Sequence, residues 1–256
     1  MKRSLSQNFI FDLNFLSGLA DLADLQGRNI LEAGSGQGTL TSVLADRAAG
    51  VVSVEIDKDI FPALEEKFKK RGNVILFNGD FLKMDTGFLK GKRWTFFSNI
   101  PYHISTHVIE RLILLMEHFD EYYMTVQYEF AKRLFAAPGG KDYGSLSIFF
   151  QMHFSGRILK KVPASVFVPR PKVDSAFICF KNDIKAGVDD RFFTFVRSLF
   201  SQRRKNMLNN LLKNCDNYGK NDIISILRES GINEKQRIEN LNYSVIFDLY
   251  NRLFGK

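Results

Sequence analysis

The sequence predicts an α/β protein with a mostly parallel sheet, followed by a small all-helical domain. From residue 28 to about residue 154, short apolar runs alternate with amphipathic helical runs, the pattern of right-handed β-α-β crossovers. Beyond residue 182 every apolar run has helical spacing. The chain has 256 residues, more than the ~100–200 of a typical domain, so one large or two unequal domains are expected.

The elements of the first domain follow in order. Expected strands cover residues 29–33, 51–55, 73–77, 94–98, 122–127 and 145–154. Expected helices cover residues 40–47, 60–70, 108–116 and 129–135. A polar stretch without periodicity, residues 181–187, predicts a linker. We therefore expect domains at residues 1–183 and 184–256, the second with helices over 192–200, 205–212, 222–229 and 244–253.

Composition and charge narrow the functional classes. The net charge is +8, and residues 181–256 carry +5 of it against +3 for the first 180, which favours a polyanionic partner: nucleic acid first, an anionic membrane second. No run approaches the ~18 apolar residues of a membrane span, and no signal peptide is expected. Two cysteines exclude a disulfide framework, and the four scattered histidines predict no metal site. A reduced, cytoplasmic protein is expected.

A glycine-rich loop follows the first expected strand. It places Gly34, Gly36 and Gly38 between that strand and the next helix. Glycine lets the backbone approach a ligand and adopt positive φ, and the helix N-terminus adds amide donors. The Gly-x-Gly-x-Gly spacing differs from the Gly-x-Gly-x-x-Gly of dinucleotide-binding folds. It resembles motif I of the S-adenosylmethionine-dependent methyltransferases, whose cofactor has no phosphate to cradle; the alternative is a structural tight turn.

Two acidic residues follow the next strands at the sheet edge where α/β folds bind ligands. Glu55 ends the second strand, where a carboxylate can accept both hydroxyls of a ribose. Asp80, just past the third strand, can accept a hydrogen bond from an adenine amino group, with Phe81 near the ring. The alternative for Glu55 is an exposed strand-end acid, which is less favoured beside the glycine loop. Asp80, taken alone, is equally a turn residue.

The end of the fourth strand carries Asn99, Ile100, Pro101 and Tyr102. This sequence suits methylation of an exocyclic amine, whose lone pair is delocalised into the base. The Asn99 Oδ1 and the Ile100 carbonyl can accept the two amine protons and hold the nitrogen in line with a methyl donor. Pro101 stiffens the turn, and Tyr102 can stack on the base. The alternative is an Asx-Pro turn beside a core tyrosine.

The chain resembles the rRNA adenine N6,N6-dimethyltransferases of the KsgA type. Besides the residues above, the resemblance rests on blocks at residues 6–10, 141–144, 162–175, 200–205 and 237–241. It implies a Rossmann-like methyltransferase domain with S-adenosylmethionine as cofactor, touched by Asn8, Ile10 and also Asn99. It also implies dimethylation of two neighbouring adenines near the 3′ end of 16S small-subunit rRNA during ribosome biogenesis, with the immature small ribosomal subunit as partner.

RNA contacts are expected in two places. Phe167 precedes a rigid Pro-Arg-Pro segment and is a candidate second wall for the target base, with core packing as the equal alternative. Arg203, Arg204 and Lys205 begin a helix, where positive charge opposes the helix dipole, so phosphate contact is favoured over a solvated face. Lys2 and Arg3 are a candidate basic arm. No membrane partner is expected, and the protein is expected to be a monomer.

Two departures keep alternatives open. Ser35 stands where the family usually has Pro, and His103 where it often has Asn. Ser6 together with residues 99–103 leans towards the macrolide-resistance methyltransferases of 23S rRNA, whereas residues 202–205 and 237–241 resemble the KsgA type, which is favoured. A non-catalytic RNA-binding assembly or transcription factor on the same fold is a further alternative. A nicotinamide-dependent oxidoreductase fails on glycine spacing, and a small-molecule methyltransferase has no need of a basic helical tail.

Overall fold

The computed structural model describes residues 8–185, 190–215 and 217–255, which form two compact units. The first contains the described residues up to Ala131 and Ser155–Asn182; the second contains Lys132–Phe154 and the described residues from Asp183 onward. The second unit thus begins near the expected boundary but also takes up a segment from inside the expected first domain. The cause is burial, since Tyr143, Ile148 and Met152 of that segment lie in the apolar core of the second unit.

Nine strands and ten helices are present in the described part of the chain. The strands are β1 (Phe9–Ile10), β2 (Asn29–Ala33), β3 (Gly50–Glu55), β4 (Val74–Asn78), β5 (Trp94–Asn99), β6 (Phe119–Gln127), β7 (Phe154–Val162), β8 (Phe167–Val168) and β9 (Ser175–Asn182). The helices are α1 (Leu13–Ala20), α2 (Thr39–Ala45), α3 (Phe61–Phe68), α4 (Ser105–Leu114), α5 (Tyr128–Leu134), α6 (Ser145–Gln151), α7 (Asp190–Ser201), α8 (Met207–Asn214), α9 (Lys220–Glu229) and α10 (Tyr243–Phe254). Within the described ranges, none of these helices is long and apolar enough to cross a lipid bilayer.

Seven strands form one sheet in the order β4-β3-β2-β5-β6-β9-β7. The pairs β3–β4, β2–β3, β2–β5 and β5–β6 are parallel, and β6–β9 is antiparallel. Strands β1 and β8 form a separate antiparallel ribbon. Strand order reverses between β2 and β5, and ligands of open α/β sheets bind at such a reversal, beyond the carboxyl ends of the strands. The expected α/β fold, Rossmann-like in its strand order, is confirmed.

The expected strand at residues 145–154 is wrong. Helix α6 occupies Ser145–Gln151, and only Phe154 belongs to a strand. The apolar run is short, and periodicity alone does not separate a buried strand from a buried helix. The helix is favoured by Ser147, whose Oγ accepts from the Gly144 N–H at 3.0 Å and donates to the Arg133 carbonyl. Sequence patterning also missed α1, the short ribbon strands, and the two sheet strands β7 and β9.

The second unit is built from amphipathic helices. Phe192, Phe195, Val196 and Leu199 of α7 are buried in its core, as the helical spacing predicts. Helix α10 begins at Tyr243, one residue before the expected Ser244. The side chain of Asn242 caps this helix by accepting the Val245 N–H at 3.0 Å. Part of the expected linker, residues 186–187, lies outside the described residues, as do Lys2, Arg3 and the first two residues of the 6–10 block.

Candidate active site

A pocket lies in the first unit, where the strand order reverses. Its lining consists of Asn8, Phe9, Gly34, Gly36, Asn99, Ile100, Pro101, Tyr102 and Phe167. The topology explains this meeting: the carboxyl ends of β2 and β5 are neighbours, and the β1–β8 ribbon pairs Ile10 with Phe167.

Two glycines of the loop after β2 form one wall of the pocket. Gly34 and Gly36 have φ of +85° and +55°, in the left-handed region that glycine tolerates. A Cβ on Gly34 would meet no heavy atom within 4 Å, so this residue opens directly onto free space. A Cβ on Gly36 would lie 2.5 Å from the Phe9 ring, which packs against the loop there. The glycines therefore permit close approach, of a ligand at Gly34 and of an aromatic ring at Gly36.

Gly38 lies elsewhere than its assignment to a cofactor site implies. It caps α2 with φ +72°, and a Cβ there would lie 2.6 Å from the Phe68 ring and 2.8 Å from a Leu64 methyl. It does not line the pocket. A glycine is required here by the packing of α3, because any Cβ would collide with these two side chains.

Glu55 is buried and holds the glycine loop. Its Oε2 accepts from the Gly36 N–H and its Oε1 from the Asp57 N–H, each at 2.8 Å. Burial raises the pKa of its carboxyl, which these two amides partly offset.

Asp80 and Phe81 lie at the same sheet edge but outside the pocket lining. The Gly79 N–H donates to the Glu55 carbonyl at 2.9 Å, which fixes the start of this turn beside the end of β3. Asp80 Oδ1 accepts from the Leu82 N–H at 3.0 Å. Phe81 is buried, with its ring 5.6 Å from that of Phe96. The structure therefore places Asp80 in a turn and Phe81 in the core.

The amide of Asn99 has a fixed orientation. Its Nδ2 donates to the Asn8 carbonyl at 3.1 Å, and no donor in the described part of the chain bonds its Oδ1. Asn99 ends β5, and the Ile100 N–H donates to the Thr125 carbonyl at 3.3 Å, so the backbone is tied to β6. The pocket thus contains an oriented amide oxygen. Ile10, by contrast, is buried in the core and does not line the pocket.

Tyr102 and Phe167 supply the aromatic walls. The Tyr102 hydroxyl lies 2.6 Å from Ser175 Oγ, and burial raises the pKa of the phenol. Phe167 is 2% exposed; it packs in the core and also lines the pocket. Ser175, a buried residue that anchors Tyr102, was missed as an individual site residue. The 162–175 block contained it, but no pattern links it to Tyr102.

The expectation that Arg203, Arg204 and Lys205 begin a helix is wrong: they lie in the turn between α7 and α8, which begins at Met207 after its Asn206 cap. This basic block divides into two kinds of residue. Arg203 pairs with Glu239 and donates to the carbonyls of Lys141 and Gly140 at 2.9 and 3.1 Å. Arg204 and Lys205 are exposed, and neither pairs with an acid among the described residues. Arg203 thus forms bonds within its own unit, whereas Arg204 and Lys205 expose their positive charges to solvent.

The described ranges contain no group of three His, Cys, Asp or Glu side chains that could hold a metal ion.

A family model described as ribosomal RNA adenine dimethylase matches residues 1–254. The chain belongs to this family. It is 37% identical over 265 residues to the ribosomal RNA small subunit methyltransferase A of Bacillus cereus, covering 98% of this chain and 91% of that one. It is also 37% identical to the protein of the same name from Alkaliphilus metalliredigens, over 93% of this chain and 87% of that one. The expected family and the expected rRNA adenine dimethyltransferase activity are confirmed.

Two solved structures have the same fold. A dimethyladenosine transferase from Plasmodium falciparum is similar with a TM-score of 0.82 at 23% identity, over 95% of this chain and 98% of that one. The 23S rRNA methyltransferase ErmE is similar with a TM-score of 0.69 at 26% identity, over 96% and 99%. Both agree with a methyltransferase sheet followed by helices.

Proposed function

We propose that this chain dimethylates adenines at N6 in 16S small-subunit rRNA, with S-adenosylmethionine as methyl donor. The observation that carries the proposal is the Asn99 amide, oriented by the Asn8 carbonyl in a pocket walled by Tyr102 and Phe167. The curated relatives support the small subunit as substrate, since they cover nearly the whole chain. The two neighbouring adenines near the 3′ end follow from the sequence resemblance.

The pocket fits S-adenosylmethionine. Gly34 leaves a cradle that any Cβ would narrow, because the space beside its Cα is open. Asn8, Gly34, Gly36 and Asn99 would hold the cofactor from the pocket side. Glu55 and Asp80 lie at the carboxyl edge, where the ribose and adenine of such a ligand would be bound. The bound cofactor supplies an electrophilic methyl group.

Asn99 orients the amine of the target adenine. With Nδ2 held by Asn8, its Oδ1 is left to accept one N6 proton, and the Ile100 carbonyl accepts the other. Alignment of this kind can lower a barrier by ~7–11 kcal/mol. No dedicated base is needed, because the nitrogen proton becomes acidic once the nitrogen is alkylated.

The aromatic walls bind the base. Tyr102, held by Ser175, stacks on the adenine, a contact worth ~1–3 kcal/mol, and Phe167 closes the opposite side. The target must be unpaired or leave its stack to enter. Exposed Arg204 and Lys205 contact rRNA phosphates on the immature small subunit, and the protein acts as a cytoplasmic monomer.

Methyl transfer to defined substrates tests the proposal. The full chain is incubated with radiolabelled S-adenosylmethionine and either unmethylated small ribosomal subunits or protein-free 23S rRNA, and the labelled nucleoside is identified after digestion. We expect dimethyladenosine from the small subunit alone, and much slower labelling with the Asn99→Ala variant. Label in 23S rRNA alone would make the chain a large-subunit enzyme, and no label in either would favour a binding factor.

A further inference from the structure

Ser35 links the glycine loop to a chain of buried polar groups. Its hydroxyl lies 2.5 Å from Ser53 Oγ on β3, and Ser53 Oγ donates to Glu32 Oε2 on β2 at 2.6 Å. Since Ser53 has one hydroxyl proton and gives it to Glu32, Ser35 must be the donor to Ser53. Thr41 of α2 also donates to Glu32 Oε2, at 2.6 Å. We call Ser35, Ser53 and Glu32 the relay.

Burial fixes the hydrogen-bond partners of the relay residues. Its three side chains are 0–5% exposed, so none can exchange its partner for bulk water. Glu32 Oε1 has no partner in the described part of the chain, so Oε2 receives both hydroxyl bonds. Burial also raises the pKa of the Glu32 carboxyl to about 7.

The relay acts on the residue between the two pocket glycines. The Ser35 N–H donates to the Val54 carbonyl at 3.3 Å, and the Ser35 carbonyl accepts from the Gly38 N–H at 2.8 Å. Within the described residues, the hydroxyl makes the one side-chain hydrogen bond of Ser35, and this bond ties the loop to β3. A proline at this position would have neither the side-chain donor nor the N–H.

We propose that Ser35 is a positioning residue whose hydroxyl, through Ser53 and Glu32, holds Gly34 and Gly36 in the geometry that binds the cofactor. The inference rests on the proposed function, because it concerns the same pocket. The relay touches no reacting atom. Its loss therefore weakens cofactor binding and leaves the chemical step unchanged once the pocket is filled.

Calorimetric titration of the full chain tests this proposal, with S-adenosylmethionine and S-adenosylhomocysteine as probes. We expect Ser35→Ala and Ser53→Ala each to raise the Kd about 5–10-fold, and the double variant to raise it no further than the larger single effect, since both break one chain of bonds. At saturating cofactor, kcat stays within about twofold of the wild-type value. The matched control is Ser42→Ala, which removes a hydroxyl bonded to the Gly38 carbonyl at 2.8 Å, outside the relay, and leaves the Kd unchanged.

The outcomes separate the relay from the proposed function. A wild-type chain that binds neither probe overturns the cofactor assignment itself. A wild-type chain that binds, beside a Ser35→Ala variant that binds equally well, overturns the relay alone, as do Kd effects that add in the double variant. If Ser53→Ala does not fold, Ser35→Ala still decides, because it leaves the Ser53–Glu32 bond in place.

Discussion

The pocket of the first unit and the arginine block of the second use their polar groups in opposite ways. Asn99 gives its amide N–H to the Asn8 carbonyl and keeps its oxygen for a ligand. Arg203 directs its guanidinium to Glu239 and to two backbone carbonyls within its own unit. Both were expected to contact substrate from their sequence blocks. The difference teaches that a motif gives the residue type, while internal partners decide whether its donors and acceptors remain available.

The largest expected effect concerns the free amide oxygen. Asn99→Ala should lower kcat by about 10²–10³-fold, as loss of one oriented hydrogen-bonding group in an active site does. The Kd for S-adenosylmethionine should change by no more than a few-fold, because the rest of the pocket wall is unaltered. Single-turnover methyl transfer and calorimetric titration measure the two quantities. A variant with near-normal turnover would remove Asn99 from the orienting role.

A second prediction concerns the pH dependence of stability, to which the buried Glu32 carboxyl of the first unit should contribute most. Burial raises the pKa of Glu32 to about 7 from its ordinary 4.5. Between these values the folded chain keeps a proton that the unfolded chain has released, so stability falls as pH rises from 4.5 to 7. The loss reaches about 3 kcal/mol above pH 7, at ~1.4 kcal/mol for each unit of pKa.

Glu32→Gln isolates this effect. The amide oxygen still accepts from Ser53 and Thr41, and the group no longer titrates. Urea unfolding at pH 5 and pH 8 should therefore give a wild-type-minus-variant difference in unfolding free energy that falls with pH. A difference that is constant over this range would show that Glu32 titrates near its ordinary pKa.

A third prediction separates the two kinds of basic residue in the second unit. Arg203→Met should lower the unfolding free energy by about 1–2 kcal/mol, since it removes a partly exposed ion pair and two carbonyl bonds. The Arg204→Ala, Lys205→Ala double variant should leave stability within about 0.5 kcal/mol. It should instead lower the slope of log Kd for rRNA against log salt concentration by about two.

Thermal unfolding and filter binding at several salt concentrations distinguish the variants. The assignment would be reversed if Arg203→Met changed only the salt slope of rRNA binding and the Arg204→Ala, Lys205→Ala variant changed only stability. That result would mean that Arg203 leaves its internal partners to bind RNA.

Sequence reasoning found the pocket but not its supports. The glycine loop and the Asn99–Tyr102 segment were predictable, because parallel strands bring their carboxyl ends to one edge. The Gly38 packing, the Ser175 anchor and the Arg203 brace were not, since each depends on contacts between residues far apart in the chain. Helix α6 was missed for the same reason. Its Ser147 donates a hydrogen bond to the carbonyl of Arg133, a contact that the apolar pattern of residues 145–154 does not reveal.

The smallest expected effect is at the anchor of Tyr102. Tyr102→Phe keeps the stacking face and removes the hydroxyl that lies 2.6 Å from Ser175 Oγ, a bond worth about 0.5–1.5 kcal/mol. We expect kcat/KM for rRNA to fall by about 2–10-fold, against a larger loss for Tyr102→Ala, which removes the stack as well.

The double variant Tyr102→Phe, Ser175→Ala supplies the control. If the hydroxyl pair acts by holding the ring, the second change adds little to the first, because no buried hydroxyl is left unpaired. Additive losses in kcat/KM would mean that Ser175 acts on the pocket independently of Tyr102. In that case the bond to Ser175 would not hold the Tyr102 ring in place, whereas the Asn8 carbonyl does orient the Asn99 amide.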